Sequence, residues 1–519
     1  MEINKIDLKD TGQFSTMFLN YIQGKEEMKN LFGLFPALDN FGELISRRKF
    51  PARNRDTLCQ VLQQQYQELE ITPAVENNLT SLAHEKTFTI VTGHQLNIFT
   101  GPLYFIYKII TVINACRELK EKYPDYHFVP VYWMATEDHD FEEISHFRFD
   151  GKNYKWETEQ QGPVGRFTTE GLEKILEELP AAIEPFKYAY TAHNSLADAV
   201  RYYVNSLFGE YGLVVVDADN KELKKLFSHV IEADIIDHTP FIRVSETNQQ
   251  LGSMGYTCQV FAREINFFYM EDGLRSRIEK EGDNYRVVDT SLEFSEEEIR
   301  HMISESPEKF SPNVILRPLY QETILPNLAY VGGPAEVVYW MQLKKAFDHF
   351  ETAFPTIMPR NFAMYMPPHI SRKFNKSGLS YTDLFSGKNA LLKKLTLAYS
   401  DKDIQLNGKK KEFEDAFARI QQQAEAIDAT LGPMVAAEAK RTFNKLNVME
   451  KKMLRAEKRN LSDRLDRAET LKDYLFPNGN LQERTDNFLN YYLGNPDFIP
   501  RLVQAFTPFD FRFHILKDE

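Results

Sequence analysis

The spacing of apolar residues changes character along the chain, and each change marks a different kind of element. Up to about residue 85 apolar positions recur at helical spacing, as in Leu58, Val61, Leu62, Tyr66 and Leu69, with Pro51 and Pro73 as breaks. Continuous apolar runs follow, at 88–91, 128–134 and 213–217, too short for helices and suited to strands buried on both faces. Helical patterns fill the gaps at about 103–122 and 195–208. This alternation predicts an α/β fold with a parallel sheet and right-handed crossovers. At 254–290 the pattern becomes β-rich and turn-rich, with Tyr256–Phe261 and Asn266–Met270 as strands and Asp272-Gly273 and Gly282-Asp283 as turns, which predicts an insertion of hairpins. The sheet resumes near Thr323–Val331, ends at Gly332-Gly333-Pro334, continues into a helix from Ala335, and has a further strand at Thr356–Met358.

From about residue 375 the composition shifts to Lys, Glu, Ala and Gln. Phe413, Phe417, Ile420, Ala424, Ile427 and Leu431 form a heptad seam, and a second seam runs from Ala439 to Leu475. Gly432-Pro433 between them predicts an antiparallel helical hairpin, because the pair breaks a helix. Its second arm, about 42 residues, would span roughly 60 Å. Asn480 followed by Glu483 suits a helix N-cap with its capping-box partner. The apolar tail Phe506–Leu516 is expected to fold back on the body. The expected organisation is a core over residues 1–375 and a helical coiled-coil domain over 376–519.

Composition adds boundaries rather than detail. A net charge of −13 argues against nucleic acid as partner, since phosphate backbones need basic surface. Cys59, Cys116 and Cys258 are widely spaced and form no CxxC, so the expectation is free thiols and no zinc ribbon. The N-terminus lacks a basic region followed by an apolar run, and no stretch approaches the ~20 apolar residues of a membrane helix. A cytoplasmic protein that binds neither membrane nor nucleic acid is expected.

Three constellations carry candidate chemistry. Thr92-Gly93-His94-Gln95 ends the first sheet strand, and the chain loops through Asn97 and Thr100-Gly101 to a helix. A turn feeding a helix offers N–H groups to a phosphate or carboxylate, though this one matches neither a P-loop nor a dinucleotide fingerprint, and an ordinary β-α turn fits equally. Glu137-Asp138-His139-Asp140 follows the second strand; Asp138, His139 and Asp140 are candidate catalytic groups and Glu137 a binding group, against the alternative of a solvated acidic helix start. The spacing matches no zinc pattern, and no protein-bound metal is expected. Asn313, Arg317, Gln321, Gly332, Gly333 and Glu336 form the third group, in which Arg317 is a natural clamp for carboxylate or phosphate.

Two long blocks, Val91–Tyr104 and Val129–Glu143, carry a resemblance, supported by Arg317-Pro318, Val331–Glu336 and Leu481–Arg484. They resemble the family of cysteine-adding enzymes of bacillithiol biosynthesis, and the likeness covers nearly the whole chain. It implies a Rossmann-like core broken by connecting insertions, distantly similar to class I aminoacyl-tRNA synthetases and nucleotidyltransferases. It also implies a C-terminal coiled coil that makes a homodimer. The implied reaction is the last step of the pathway, joining cysteine to the amine of glucosaminyl-malate. Amide formation from a free carboxylate is uphill in water, so ATP is the expected activator, with Mg²⁺ carried by the nucleotide. On this reading backbone N–H groups at Gly93 and Gly332-Gly333 face phosphate, Arg317 grips malate or phosphate, and His139 or Asp138 takes the proton from the attacking amine. The open alternatives are a nucleotidyl or glycosyl transferase on the same sheet, and a non-catalytic assembly protein built around the heptad arm.

Overall fold

The computed structural model describes residues 1–181 and 183–519. The chain divides into two compact units. The first holds Ile3–Met364 together with Leu481–Leu516, and the second is built on Tyr365–Asn480.

Five parallel strands form the central sheet of the first unit: β1 (Thr87–His94), β2 (His127–Met134), β3 (Val214–Asp217), β4 (Asn327–Gly332) and β5 (Thr356–Pro359). Their order is β3-β2-β1-β4-β5, so the direction of winding reverses between β1 and β4. This is the Rossmann-like arrangement, and ligands bind in such sheets outside the carboxyl ends of the strands at the reversal. The apolar runs form these strands because both faces are covered. Phe88, Ile90, Phe128, Leu328, Val331 and Met358 pack with Val112, Ala115, Cys116 and Leu119 of helix α1 (Tyr104–Lys122) and with Phe41 and Ile45.

Helix α1 is buried along most of its length, and two of its buried polar residues tie it to distant segments. Thr111 Oγ1 bonds Asn361 Oδ1 at 3.1 Å, and Asn114 Nδ2 donates to the carbonyls of Val503 and Phe506, both at 2.9 Å. Tyr107 meets Phe506 with ring centroids 5.0 Å apart. The segment Leu481–Leu516 thus rests on α1, and Phe513, Ile515 and Leu516 are fully buried.

The residues between β3 and β4 build an antiparallel sheet whose strands run between Phe267 and Pro312, with tight turns at Asp272-Gly273 and Gly282-Asp283. Tyr256–Phe261, expected as a strand, is irregular. Side-chain amides take the place of a ladder there: Gln342 Oε1 accepts from the N–H groups of Gln259 and Val260, while Asn248 and Gln342 both donate to the Val260 carbonyl. Thr323 also lies outside the resumed strand, in helix α2 (Arg317–Ile324), and α3 (Pro334–Met341) follows β4.

The second unit is helical. Helices α4 (Asn407–Ile427) and α5 (Leu431–Asn460) run antiparallel, with Lys410 Nζ 2.6 Å from Glu450 Oε2, and Lys402 Nζ in the segment before α4 lies 3.1 Å from Glu457 Oε2. The break between them is not Gly432-Pro433, which lie in the first turn of α5, where the proline N–H would have had no helical partner. It falls at Asp428–Thr430, where Asp428 Oδ1 accepts from the Thr430 N–H at 2.8 Å. The second arm is not continuous either: it ends at Asn460, and α6 (Ser462–Leu475) begins beyond Leu461. Asn460 and Ser462 are poor interior helix formers, and Asn460 turns its amide back to Glu457 at 3.0 Å. Asn480 does not cap the short helix Gln482–Thr485. No helix among the described residues is long and apolar enough to cross a membrane.

Candidate active site

A cavity of about 1040 Å³ opens at the carboxyl ends of β1, β2 and β4, at the reversal of strand order. Gly93 and His94 line it from β1, Trp133 and Met134 from β2, Arg317 and Tyr320 from α2, and Gly333 and Glu336 from the start of α3. Phe268 and Arg275 of the inserted sheet close one side, and Arg360 and Arg484 contribute to another.

Strand β1 does not turn at Gly93. It remains paired with β2 through His94, and the chain needs the loop 95–103, with Phe99, Thr100 and Gly101 at positive φ, before α1 begins. Gly93 therefore serves the floor of the cavity rather than a turn. A Cβ there would lie 3.5 Å from both Arg317 Nη1 and Tyr330 Oη, space that glycine leaves open. His94 packs between Tyr104 and Phe105, and burial, with Lys108 nearby, pushes its pKa down to about 3, so the ring is neutral. Its Nε2 has no hydrogen-bond partner, and neither has Gln95 Oε1. Both residues line the cavity, though these two polar atoms are themselves buried beneath its surface. The other candidates of this segment lie outside the lining. Thr92 Oγ1 donates to the Val331 carbonyl and ties β1 to β4; Asn97 Nδ2 donates to the Glu143 carbonyl; Thr100 is buried; a Cβ on Gly101 would meet the Asn97 Cβ at 2.6 Å.

The acidic segment after β2 divides by role. Glu137 is paired with the buried Lys224 at 2.9 Å. Asp138 accepts from the Gln95 amide and from the His139 N–H at 2.7 Å, and lies 3.5 Å from Arg275 Nη1. Burial opposes its charge, but Arg275 and these donors hold its pKa below the ordinary carboxylate range. His139 Nδ1 is 2.6 Å from Arg275 Nη1. A guanidinium only donates, so Nδ1 accepts and the proton of the neutral ring sits on Nε2. Burial and Arg275 both lower the His139 pKa. This removes the lone pair a general base would use at Nδ1 and makes His139 a hydrogen-bond donor. Asp140 caps the helix Phe141–Ile144 by accepting from the Glu143 N–H at 3.3 Å, the structural alternative for that residue. The segment is pinned from above. Val164 N–H donates to the Asp138 carbonyl at 2.7 Å and Gly165 N–H to that of Thr136 at 2.8 Å. Arg166 continues the clamp to Asp219 at 2.9 Å and Asp272 at 2.7 Å.

The opposite wall is cationic. Arg317 Nη1 lies 3.2 Å from Gln321 Oε1 and Nη2 3.3 Å from Tyr339 Oη, and no carboxylate among the described residues lies within ion-pair distance of it. Gln321 stands behind it, fully buried and bonded to Glu322, and does not line the cavity. Lys108 is paired with Glu336 at 2.6 Å and also donates to the Gly93 carbonyl at 2.9 Å. Glu336 further accepts from Tyr330 Oη and from the Gly333 N–H at 2.8 Å. The Gly333 N–H is therefore already used, contrary to its expected place as a phosphate donor. Gly332 lies outside the lining, and a Cβ there would meet the Glu336 Cβ at 2.9 Å. Asn313 lines the cavity with its side chain committed to Asn266 and the Ile315 N–H. Arg360 is spent in a buried fork with Glu483 at 2.6 and 3.0 Å.

Lys108, Arg275, Arg360, Tyr330 and Tyr339 are lining residues that sequence reasoning passed over. Lys108 had a signal, a cation inside the apolar run Phe105–Ile113. Arg275 had none, being one of several charges on a hairpin strand.

Two family models match the chain: "Bacillithiol biosynthesis BshC, N-terminal Rossmann-like domain" over residues 1–361 and "Bacillithiol biosynthesis BshC, C-terminal coiled-coil domain" over 363–517. Similar proteins include one from Flavobacterium johnsoniae, 44% identical over 99% of this chain and 100% of the relative. Another, from Christiangramia forsetii, is 39% identical over 99% of each. A more distant one, from Bacillus licheniformis, is 27% identical over 96% of this chain and 97% of the relative. All three carry the name "Putative cysteine ligase BshC".

Proposed function

Since the chain belongs to the bacillithiol biosynthesis BshC family, we propose that it is a ligase that joins the carboxyl of cysteine to the amine of glucosaminyl-malate, with ATP as activator and Mg²⁺ carried on the nucleotide. The observation that carries this reading is the polarity of the cavity at the strand-order reversal. Arg317, unpaired with any carboxylate among the described residues, stands on one wall, and the acidic segment Glu137–Glu143 stands on the other. A substrate with anionic groups at one end and an ammonium at the other matches that polarity.

Each residue has a task on this reading. Arg317, held flat by Gln321 and Tyr339, receives a carboxylate or phosphate fork. His94 and Gln95 line the cavity, and a small shift of either side chain would offer a ligand His94 Nε2 or Gln95 Oε1, which have no partner within the described residues. The His139 Nε2–H donates to an oxygen of the activated carboxyl, in a ring orientation fixed by Arg275 and Phe268. Asp138, kept ionised, attracts the ammonium. Bound ATP supplies the activation of the carboxyl, and these side chains orient and neutralise.

The helical hairpin supports a homodimer. Phe413, Ile420, Ile427, Met434, Val448 and Met449 are all exposed along it. Sedimentation of the wild type beside an Ile420→Glu, Val448→Glu variant tests this; a monomeric wild type would refute it. Free Cys59, Cys116 and Cys258 suit a reducing cytoplasm. The reaction itself is tested by incubating the protein with ATP, Mg²⁺, cysteine and glucosaminyl-malate and weighing the product, which should gain one cysteinyl residue.

A further inference from the structure

Six carboxylates line the cavity, and five of them are already engaged. Glu137 is held by Lys224, Asp138 by Gln95, Arg275 and the His139 N–H, and Glu336 by Lys108, Tyr330 and the Gly333 N–H. Asp140 caps a helix, and Glu142 turns to Lys155 at 3.2 Å. Glu143 differs: its side chain is solvent-exposed at the cavity wall and its carboxylate has neither hydrogen bond nor ion pair among the described residues, although its backbone is fixed at both ends. Its N–H goes to Asp140 Oδ1, and its carbonyl accepts from Asn97 Nδ2 at 2.9 Å. The sequence thus spends a cap and a buried amide on presenting a free carboxylate at the cavity wall.

The chemistry of the proposed ligation asks for such a group. An amine attacks only as the neutral base, whereas an amino sugar arrives largely as an ammonium ion. We propose that Glu143 takes the first proton from the substrate ammonium, a role that rests on the ligase reading above. The carboxylate becomes a carboxylic acid as the ammonium becomes an amine. The nitrogen lone pair then forms the C–N bond to the activated cysteinyl carbon. The acyl C–O bond to the phosphate-bearing leaving group breaks, its electron pair departs on that oxygen, and the second nitrogen proton passes to solvent.

The surroundings suit a proton acceptor. Partial desolvation at the cavity wall raises the Glu143 pKa, and Asp138 and Asp140 raise it further; Lys108 opposes and Glu336 adds to it. Tyr104 of α1 faces the same carboxylate. A base with raised proton affinity accepts a proton more readily than Asp138, whose affinity is lowered, or His139, whose Nδ1 is taken by Arg275.

The test compares wild type, Glu143→Gln and Glu143→Asp as full chains, with two nucleophiles. With glucosaminyl-malate, E143Q should lose about 100-fold or more in kcat, the scale of a general base, and E143D should recover part of it. The wild-type acid limb should be replaced in E143Q by one that lies at higher pH and follows the ionisation of the substrate amine itself. With hydroxylamine, a neutral nucleophile at neutral pH, E143Q should form the cysteine hydroxamate at the wild-type rate, because no proton needs removing before attack and the later one passes to solvent as before. Loss with both nucleophiles would overturn the proposal and make Glu143 structural, as would an E143Q variant that keeps its rate and its acid limb with the amino sugar. A wild type that gives no product with either nucleophile would sink the ligase reading itself, and Glu143 with it.

Discussion

Replacing Lys108 with methionine should be among the most damaging single changes to the first unit, and its size can be worked from the structure. Lys108 is only 4% exposed and its Nζ lies 2.6 Å from Glu336 Oε2, which is 23% exposed. Methionine fills much of the same volume, so the loss is of charge rather than of packing. Glu336 keeps its bonds from Tyr330 and the Gly333 N–H but loses its only cation within ion-pair distance among the described residues. Breaking one side of a buried pair costs about 3–5 kcal/mol, and the partial exposure of Glu336 places this case near the lower figure. Removing both charges, in Lys108→Met with Glu336→Gln, should cost less than the sum of the single changes, because no unpaired charge remains.

Tryptophan fluorescence reads the right unit in denaturant, since Trp133, Trp156 and Trp340 all belong to the first unit. The pH dependence has a definite sign. Burial disfavours the charge of Glu336, but Lys108 and the hydrogen bonds more than compensate, and its folded pKa is lowered. Its contribution is therefore present above the unfolded pKa, about 4.3, and is lost as the pH falls through the folded value. The gap between wild type and K108M should narrow below about pH 4. A K108M cost under about 1 kcal/mol, with additive single and double variants, would refute the reasoning.

Gly165→Ala should unseat the strap over the acidic segment. The new Cβ would stand 2.8 Å from the Thr136 carbonyl oxygen and 2.9 Å from its Cα, backbone that cannot yield cheaply, so denaturation should show a loss of about 1–3 kcal/mol. Arg317→Ala should lower kcat/KM for the anionic substrate by roughly 10- to 100-fold, the worth of charge-assisted hydrogen bonds, while the Trp unfolding transition stays cooperative. Arg275→Gln should raise the His139 pKa, because the guanidinium is one of the two causes that lower it; an NMR titration of the histidine rings that finds His139 unmoved would refute that assignment.

What the sequence disclosed follows from where the physics is local. The five sheet strands were legible because strands buried on both faces read as unbroken apolar runs, and the heptad seam was legible because a repeat of seven needs no knowledge of its partner. Gly93 misled, since glycine signals equally a turn and a place where side chains need room, and here the neighbours are Arg317 and Tyr330 from distant segments. Gly432-Pro433 misled for a positional reason: proline breaks a helix interior but is tolerated in a first turn. The acidic segment was visible as a group, yet its division into a cap at Asp140, an ion pair at Glu137 and a free carboxylate at Glu143 depended on Lys224, Arg275 and Asn97. None of these partners can be read from the spacing within the segment.

The most direct measurement mixes the purified protein with ATP, Mg²⁺, cysteine and glucosaminyl-malate, and follows thiol product and nucleotide by mass spectrometry. The account predicts a product heavier by one cysteinyl residue, formed only with ATP and accompanied by AMP or ADP in equal amount. Folded protein that consumes no ATP and leaves glucosaminyl-malate unchanged would contradict it.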